Sequence, residues 1–139
     1  MKRAFAHLSF NGNCRAAMHF YKNCFGGELN MQTLEDMPQR HAFPPKLSQL
    51  VVHATLRSEQ LILMASDLLD EPLTTGNHMS ILLECQKEGE MEAIFDKLKM
   101  GGQVTRPIQK THWGAMIGGL TDQFGNQWML HHPLRTLTL

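Results

Sequence analysis

The sequence predicts an α+β fold made of two tandem βαβββ modules whose strands curl into a cup-shaped mixed sheet. Three observations carry that expectation: two amphipathic helical segments that each end in Gly-Gly, a constant offset between them, and matching strand-like runs around each. Phe20 and Phe95, Gly26 and Gly101, and Gly27 and Gly102 are all 75 residues apart, the mark of an internal duplication. Module 1 is expected over residues 1–70 and module 2 over residues 77–133, together forming one domain across 1–139.

Taken in chain order, Ala4 to Phe10 reads as a short strand. From Cys14 to Phe25 the apolar residues Ala17, Phe20, Tyr21 and Cys24 recur at steps of three and four, which predicts a helix. Asn13 stands where an N-cap belongs, and Gly26-Gly27 supplies the stop. Three strand-like runs follow: Glu28 to Leu34, Gln49 to Arg57 and Gln60 to Ser66. The second half repeats the order, with a strand from His78 to Cys85, a helix from Glu90 to Met100 carrying Met91, Ile94, Phe95 and Leu98, and strands at Gln103–Ile108, Trp113–Thr121 and Gln127–His131.

A βαβββ unit curls with one sheet face under its helix and leaves the other open, so the open face needs a cover or a ligand. With a turn at Ser58-Glu59, the hairpin from Leu50 to Ser66 sorts into two faces. Leu50, Val52, Ala54, Leu56, Leu61, Leu63 and Ala65 make a wholly apolar face, the predicted core. Val51, His53, Thr55, Arg57, Gln60, Ile62, Met64 and Ser66 make the other, whose mixed polarity fits a lined cavity or a wet surface. In the second half Met79, Ile81, Leu83 and Cys85 alternate with His78, Ser80, Leu82 and Glu84 in the same way, the second set expected to face the cup. Trp128 and Leu130 are expected in the core beside the second helix, and Asp122 to Asn126 as a tight turn. The stretch Asp36–Lys46 is too rich in proline for helix or interior strand, and reads either as a flap or as a surface loop.

Composition narrows the function classes. Thirteen basic residues balance thirteen acidic ones with no like-charge block, so neither nucleic acid nor an anionic membrane is an expected partner. No window approaches the roughly 20 apolar residues of a membrane span. The N-terminal residues meet His7, Ser9 and Asn11 before any apolar stretch long enough for a signal peptide. Three cysteines, Cys14, Cys24 and Cys85, follow no metal-ligand or disulfide pattern, and the expected compartment is the cytoplasm.

Several segments, in this order, resemble the vicinal oxygen chelate superfamily of glyoxalases, bleomycin-resistance proteins and extradiol dioxygenases. They are Phe10-Asn11-Gly12-Asn13, Phe20-Tyr21 with Phe25-Gly26-Gly27-Glu28, Asp36-Met37-Pro38, His53-Ala54 with Leu63-Met64-Ala65-Ser66-Asp67, and His112-Trp113-Gly114 followed by Thr121 to Trp128. Within the superfamily they are most similar to the PhnB-like branch, described as 3-demethylubiquinone methyltransferase-like. The resemblance implies a glyoxalase-like cup, a small-molecule ligand and a homodimer. Metal-using relatives hold a divalent ion through His, Gln or Glu donors, and the four corresponding positions fall here at Phe5 (or Ala6), Met64 or Leu63, His78 and Met129. Only His78 offers a nitrogen or oxygen donor, so no metal is expected. A makeshift site from His7, His53 and His78 is the alternative; His131 and His132 are adjacent in a strand and point apart. No glycine-rich loop follows a strand, so no nucleotide-like cofactor and no methyl transfer is expected.

His53 is the first candidate for chemistry, either as a general base or ligand-orienting group or as an ordinary wall histidine. Phe5, His7, Met64, Ser66, His78, Trp113 and Met129 are the expected pocket residues, giving a largely apolar and aromatic lining suited to a flat or greasy molecule. Trp113 reads equally as core packing. Asp67 at a strand end is assigned backbone hydrogen bonding rather than chemistry. Three functions remain: a metal-independent binding or lyase-like module, a ligand-sequestering protein of the bleomycin-resistance type, and a divalent-metal lyase or dioxygenase with displaced ligands.

Overall fold

A computed structural model of the chain describes residues 1–134; the end of the expected domain, 135–139, lies outside them. The chain divides into two compact units, Met1–Thr74 and Thr75–Leu139, each a βαβββ unit as the duplication predicts.

Unit 1 comprises β1 (Ala6–Phe10), α1 (Cys14–Phe25), β2 (Glu28–Thr33), β3 (Val51–Ser58) and β4 (Leu61–Asp67), with sheet order β1-β4-β3-β2. β1 runs parallel to β4, and the other neighbours are antiparallel. α1 spans the predicted residues and buries Cys14, Ala17, Met18, Tyr21 and Cys24. Phe20, expected in that stripe, is only half-buried and meets Tyr21 edge-on at 5.6 Å; Met18 takes its place in the core. Opposite the helix, Ala54, Leu56, Leu63 and Ala65 are fully buried, so the predicted apolar face is the core.

Two local features differ from the sequence reading. The β3–β4 turn falls at Glu59-Gln60, because Ser58 pairs with Leu61 and Glu59 takes a positive φ of 53°. That moves the register by two residues and preserves both faces. A bulge opposite Gln32 and Thr33 then lets Val51 pair with Thr33, so Val51, expected on the mixed face, is fully buried while Val52 is half-exposed. Between β2 and β3 the proline-rich stretch forms three single 3-10 turns, Leu34–Asp36, Arg40–Ala42 and Pro45–Leu47. Asp36 anchors the first by accepting the Thr33 N–H at 2.9 Å and the Thr33 hydroxyl at 3.1 Å, bonds that hold its carboxyl below the usual carboxylate range.

Unit 2 comprises β5 (Ile81–Glu84), α2 (Glu88–Leu98), β6 (Gln103–Lys110), β7 (Ala115–Thr121) and β8 (Gln127–Pro133), in the same order, β5-β8-β7-β6. α2 starts two residues earlier than expected, with Glu88 and Glu90 in the first turn where the helix dipole favours acids. It buries Met91, Phe95 and Leu98; Trp128 and Leu130 are buried in the same unit as predicted, and Leu120 joins them. The β7–β8 register has no bulge, and Gly119 faces Met129. In the turn between them the Asp122 carboxylate accepts the N–H groups of Phe124 and Asn126 and the Trp128 indole N–H at 2.8–3.0 Å.

The duplicated Gly-Gly has one physical cause in both units. Gly26, the C-cap of α1, and Gly101, two residues beyond the C-cap Lys99 of α2, both hold a positive φ, 72° and 75°, that turns the chain away from the helix. A Cβ on the second glycine would collide with a strand carbonyl, that of Arg57 at Gly27 and that of Thr121 at Gly102.

Candidate functional site

The open face of the unit 1 sheet follows from strand alternation and register. Glu28, Asn30 and Gln32 of β2 pair with Arg57, Thr55 and His53 of β3. Thr55 pairs onward with Met64, and Met64 with His7 of β1, so Asn30, Thr55, Met64 and His7 form one row across all four strands. Arg57 pairs with Ile62 in the row beside it, and Ser66 with Ser9 near the far end.

Along β2 and β3 this face holds a depression of about 310 Å³ lined by Asn30, Met31, Gln32, His53, Thr55 and Arg57. The imidazole Nε2 of His53 lies 3.0 Å from the Thr55 hydroxyl, a hydrogen bond that fixes the ring on the face. Beside it the Ser66 hydroxyl lies 3.3 Å from Nε2 of His7. The Asn30 amide donates to Glu28 at 3.4 Å. Arg57 carries the single formal charge of the lining. Such a surface can position a polar molecule through several donors at once, and His53 can accept or deliver a proton there.

The structure therefore brings His53, His7, Met64 and Ser66 onto one face. The other four predicted pocket residues lie elsewhere. Phe5 precedes β1, is 43% exposed, and carries the Arg3 guanidinium 4.8 Å above its ring. His78, expected on a strand, is exposed in the segment before β5, since β5 starts at Ile81 opposite Trp128 and β8 begins only one residue earlier. Trp113, expected on β7, stands at the tip of the turn closed by Thr111 and Ala115, where Gly114 adopts φ of 88°. It is 50% exposed, with His112 edge-on at 5.0 Å. Met129 lies on β8 of unit 2 between Leu82 and Gly119.

The lining is thus mainly polar where an apolar and aromatic one was expected. Asn30 and Gln32 escaped the sequence reading although the alternation Glu28, Asn30, Gln32 against Leu29, Met31 was available in β2. Only the pairing with β3 shows their place, by setting them beside Thr55 and His53. Asp67, assigned to backbone bonding, is buried and accepts the N–H groups of Gly12, Cys14 and Val51 at 2.9–3.0 Å.

A divalent ion of the kind used by some glyoxalases is a poor match to the residues present. Phe, Ala and Leu offer no donor and a thioether suits soft ions, so the aligned positions give a hard ion one ligand at most. Among the described residues, no group of three or more His, Cys, Asp or Glu side chains is placed to hold a metal. Among the same residues no helix is long and apolar enough to cross a membrane.

Comparison with known proteins agrees with the fold. Protein YjdN of Escherichia coli (strain K12) is 28% identical over 137 residues, covering 90% of this chain and 91% of its own. The crystal structure of protein PA1353 from Pseudomonas aeruginosa superposes with a TM-score of 0.84 at 34% identity, covering 96% of this chain and 98% of that one. A PhnB protein from Bacillus cereus, described as a putative 3-demethylubiquinone-9 3-methyltransferase, shares the fold with a TM-score of 0.74 at 23% identity, covering 94% and 99%. Residues 4–130 match the Glyoxalase/Bleomycin resistance protein/Dioxygenase superfamily, and the chain belongs to that superfamily.

Proposed function

We propose that this protein is a PhnB-like, metal-independent small-molecule-binding module that takes its ligand on the open face of unit 1. The observation that carries this reading is the convergence of Asn30, Gln32, His53, Thr55 and Arg57 on one depression, opposite a fully apolar core face. An exposed sheet face needs no such set for stability, whereas a ligand needs several placed polar groups to fix its orientation. His53, held by Thr55, is the proton acceptor or donor if a reaction occurs there, and Met64, His7 and Ser66 extend the surface across β4 and β1. Three buried free cysteines accord with a cytoplasmic setting, and the family resemblance with a homodimer.

The test is a thermal-shift screen of small polar metabolites, with and without EDTA, followed by calorimetric titration of the hits. The expected result is saturable binding that EDTA leaves unchanged and that His53→Ala or Thr55→Val weakens at least tenfold. Hits that need a divalent ion, or whose binding ignores both substitutions, would overturn the reading. Elemental analysis of protein purified without chelator is expected to find less than about a tenth of an equivalent of any transition metal. Light scattering is expected to give about twice the 15.8 kDa chain mass.

A second reading, ligand sequestering without turnover, is favoured by the openness of the face, which leaves His53 exposed to water. It predicts that His53→Ala changes affinity alone, with no chemical conversion of the bound hit by either protein.

A further inference from the structure

Resting on the reading just given, we infer that the unit 1 face recognises a small molecule bearing one oxyanion, carboxylate or phosphate, seated on Arg57, and a second hydrogen-bonding group received by His53, Thr55 and Gln32. Arg57 is exposed, and among the described residues no carboxylate lies within ion-pair distance of its guanidinium. The nearest acid by register is Glu28, its cross-strand partner, whose carboxylate accepts from the Asn30 amide. No acid lines the depression itself, whose remaining polar groups can all donate. A guanidinium with free donors beside amide and hydroxyl groups is suited to bidentate capture of an oxyanion.

Register also sets the reach of the ligand. Arg57 and His53 share a face of β3 four residues apart, roughly 13 Å along the strand. The arginine side chain can span about half of that distance. The second polar group of the ligand therefore lies several ångströms from the oxyanion, at the Gln32–His53 row, with the Asn30–Thr55 row between.

The test is a ¹⁵N-HSQC titration of the full chain with acetate, inorganic phosphate and the neutral isostere acetamide at constant ionic strength. Saturable shifts at Asn30, Thr55 and Arg57 are expected with acetate, phosphate or both, and the better of the two identifies the anion. Arg57→Gln is expected to weaken that binding at least tenfold, Arg57→Lys less, and Glu28→Gln to strengthen it by removing the neighbouring negative charge. Anion binding that survives Arg57→Gln overturns the inference. If acetamide or a neutral screening hit saturates the same residues while the anions do not, the oxyanion inference fails and the binding site stands. If no probe or hit perturbs these residues, both fail.

Discussion

The Asp67 carboxylate accepts the backbone N–H of Val51 at 2.9 Å, joining the last residue of β4 to the first residue of β3 within the core of unit 1. Its other oxygen receives Gly12 and Cys14 at the start of α1. One side chain therefore completes both the helix entry and the bulged end of β3, where Asn13 makes no side-chain cap.

Asp67→Ala leaves three N–H donors without their acceptor, two of them buried. An unmatched buried donor costs about 1–3 kcal/mol. Urea denaturation is expected to show a loss of at least about 3 kcal/mol with an unchanged m-value, and Asp67→Asn a smaller loss because one oxygen remains.

Gly27→Ala and Gly118→Ala should separate two kinds of obstruction. At Gly27 the added Cβ meets the fixed Arg57 carbonyl and must adopt φ of 94°, so folding is expected to fail at 37 °C. At Gly118 it comes within 2.9 Å of Ile108 Cγ1 and 3.0 Å of Phe95 Cε2, side-chain atoms that can move. That overpacking is expected to cost about 1–3 kcal/mol, read as a lower melting temperature in calorimetry.

Burial pushes the Cys14 thiol up to about 12, with the Asp67 charge adding to the effect, and the Cys85 thiol up to about 11. Native protein at pH 8 is expected to resist Ellman's reagent at both positions, and to react at all three cysteines in 6 M urea, the assay concentration. Because these folded-state values lie above the unfolded value of 9.0, the native state keeps protons that the unfolded chain releases. The stabilising contribution is complete below pH 9 and declines as pH rises toward 11 and 12, by up to about 1.4 kcal/mol per pH unit per thiol. Denaturation midpoints measured from pH 8 to pH 11 should fall, and fall less in Cys14→Ser, which lacks the titrating group.

The two tryptophans stand in opposite environments, Trp128 at 1% exposure with its indole N–H on Asp122, and Trp113 at 50%. Iodide is expected to quench one emitting population and spare the other. Trp113→Phe should leave only blue-shifted emission with a quenching constant several-fold smaller.

Of the candidate site, His53, Met64, His7 and Ser66 were legible because alternation in β3, β4 and β1 survives a two-residue error in the turn: side-chain direction depends on parity alone. Trp113 and His78 were misplaced because apolar and polar residues alternate up to strand ends that only pairing defines. The chain at Trp113 is turned out by Gly114, and at His78 the partner strand has run out. Phe5 lies one residue before the first paired position of β1.

What the sequence determined by itself is the duplicated βαβββ order, both helices and the apolar face beneath α1, since these rest on periodicities of 3.6 and 2 and on glycine stops that act locally. What only the tertiary structure decided is which residues share the open face. Gln32 stands beside His53 and Glu28 beside Arg57 because of a strand register that spans some 20 to 30 residues of intervening chain, and Val51 turned inward because of a bulge. Register is a property of two strands together, fixed by hydrogen-bond pairing and core packing between distant segments, and no local pattern encodes it.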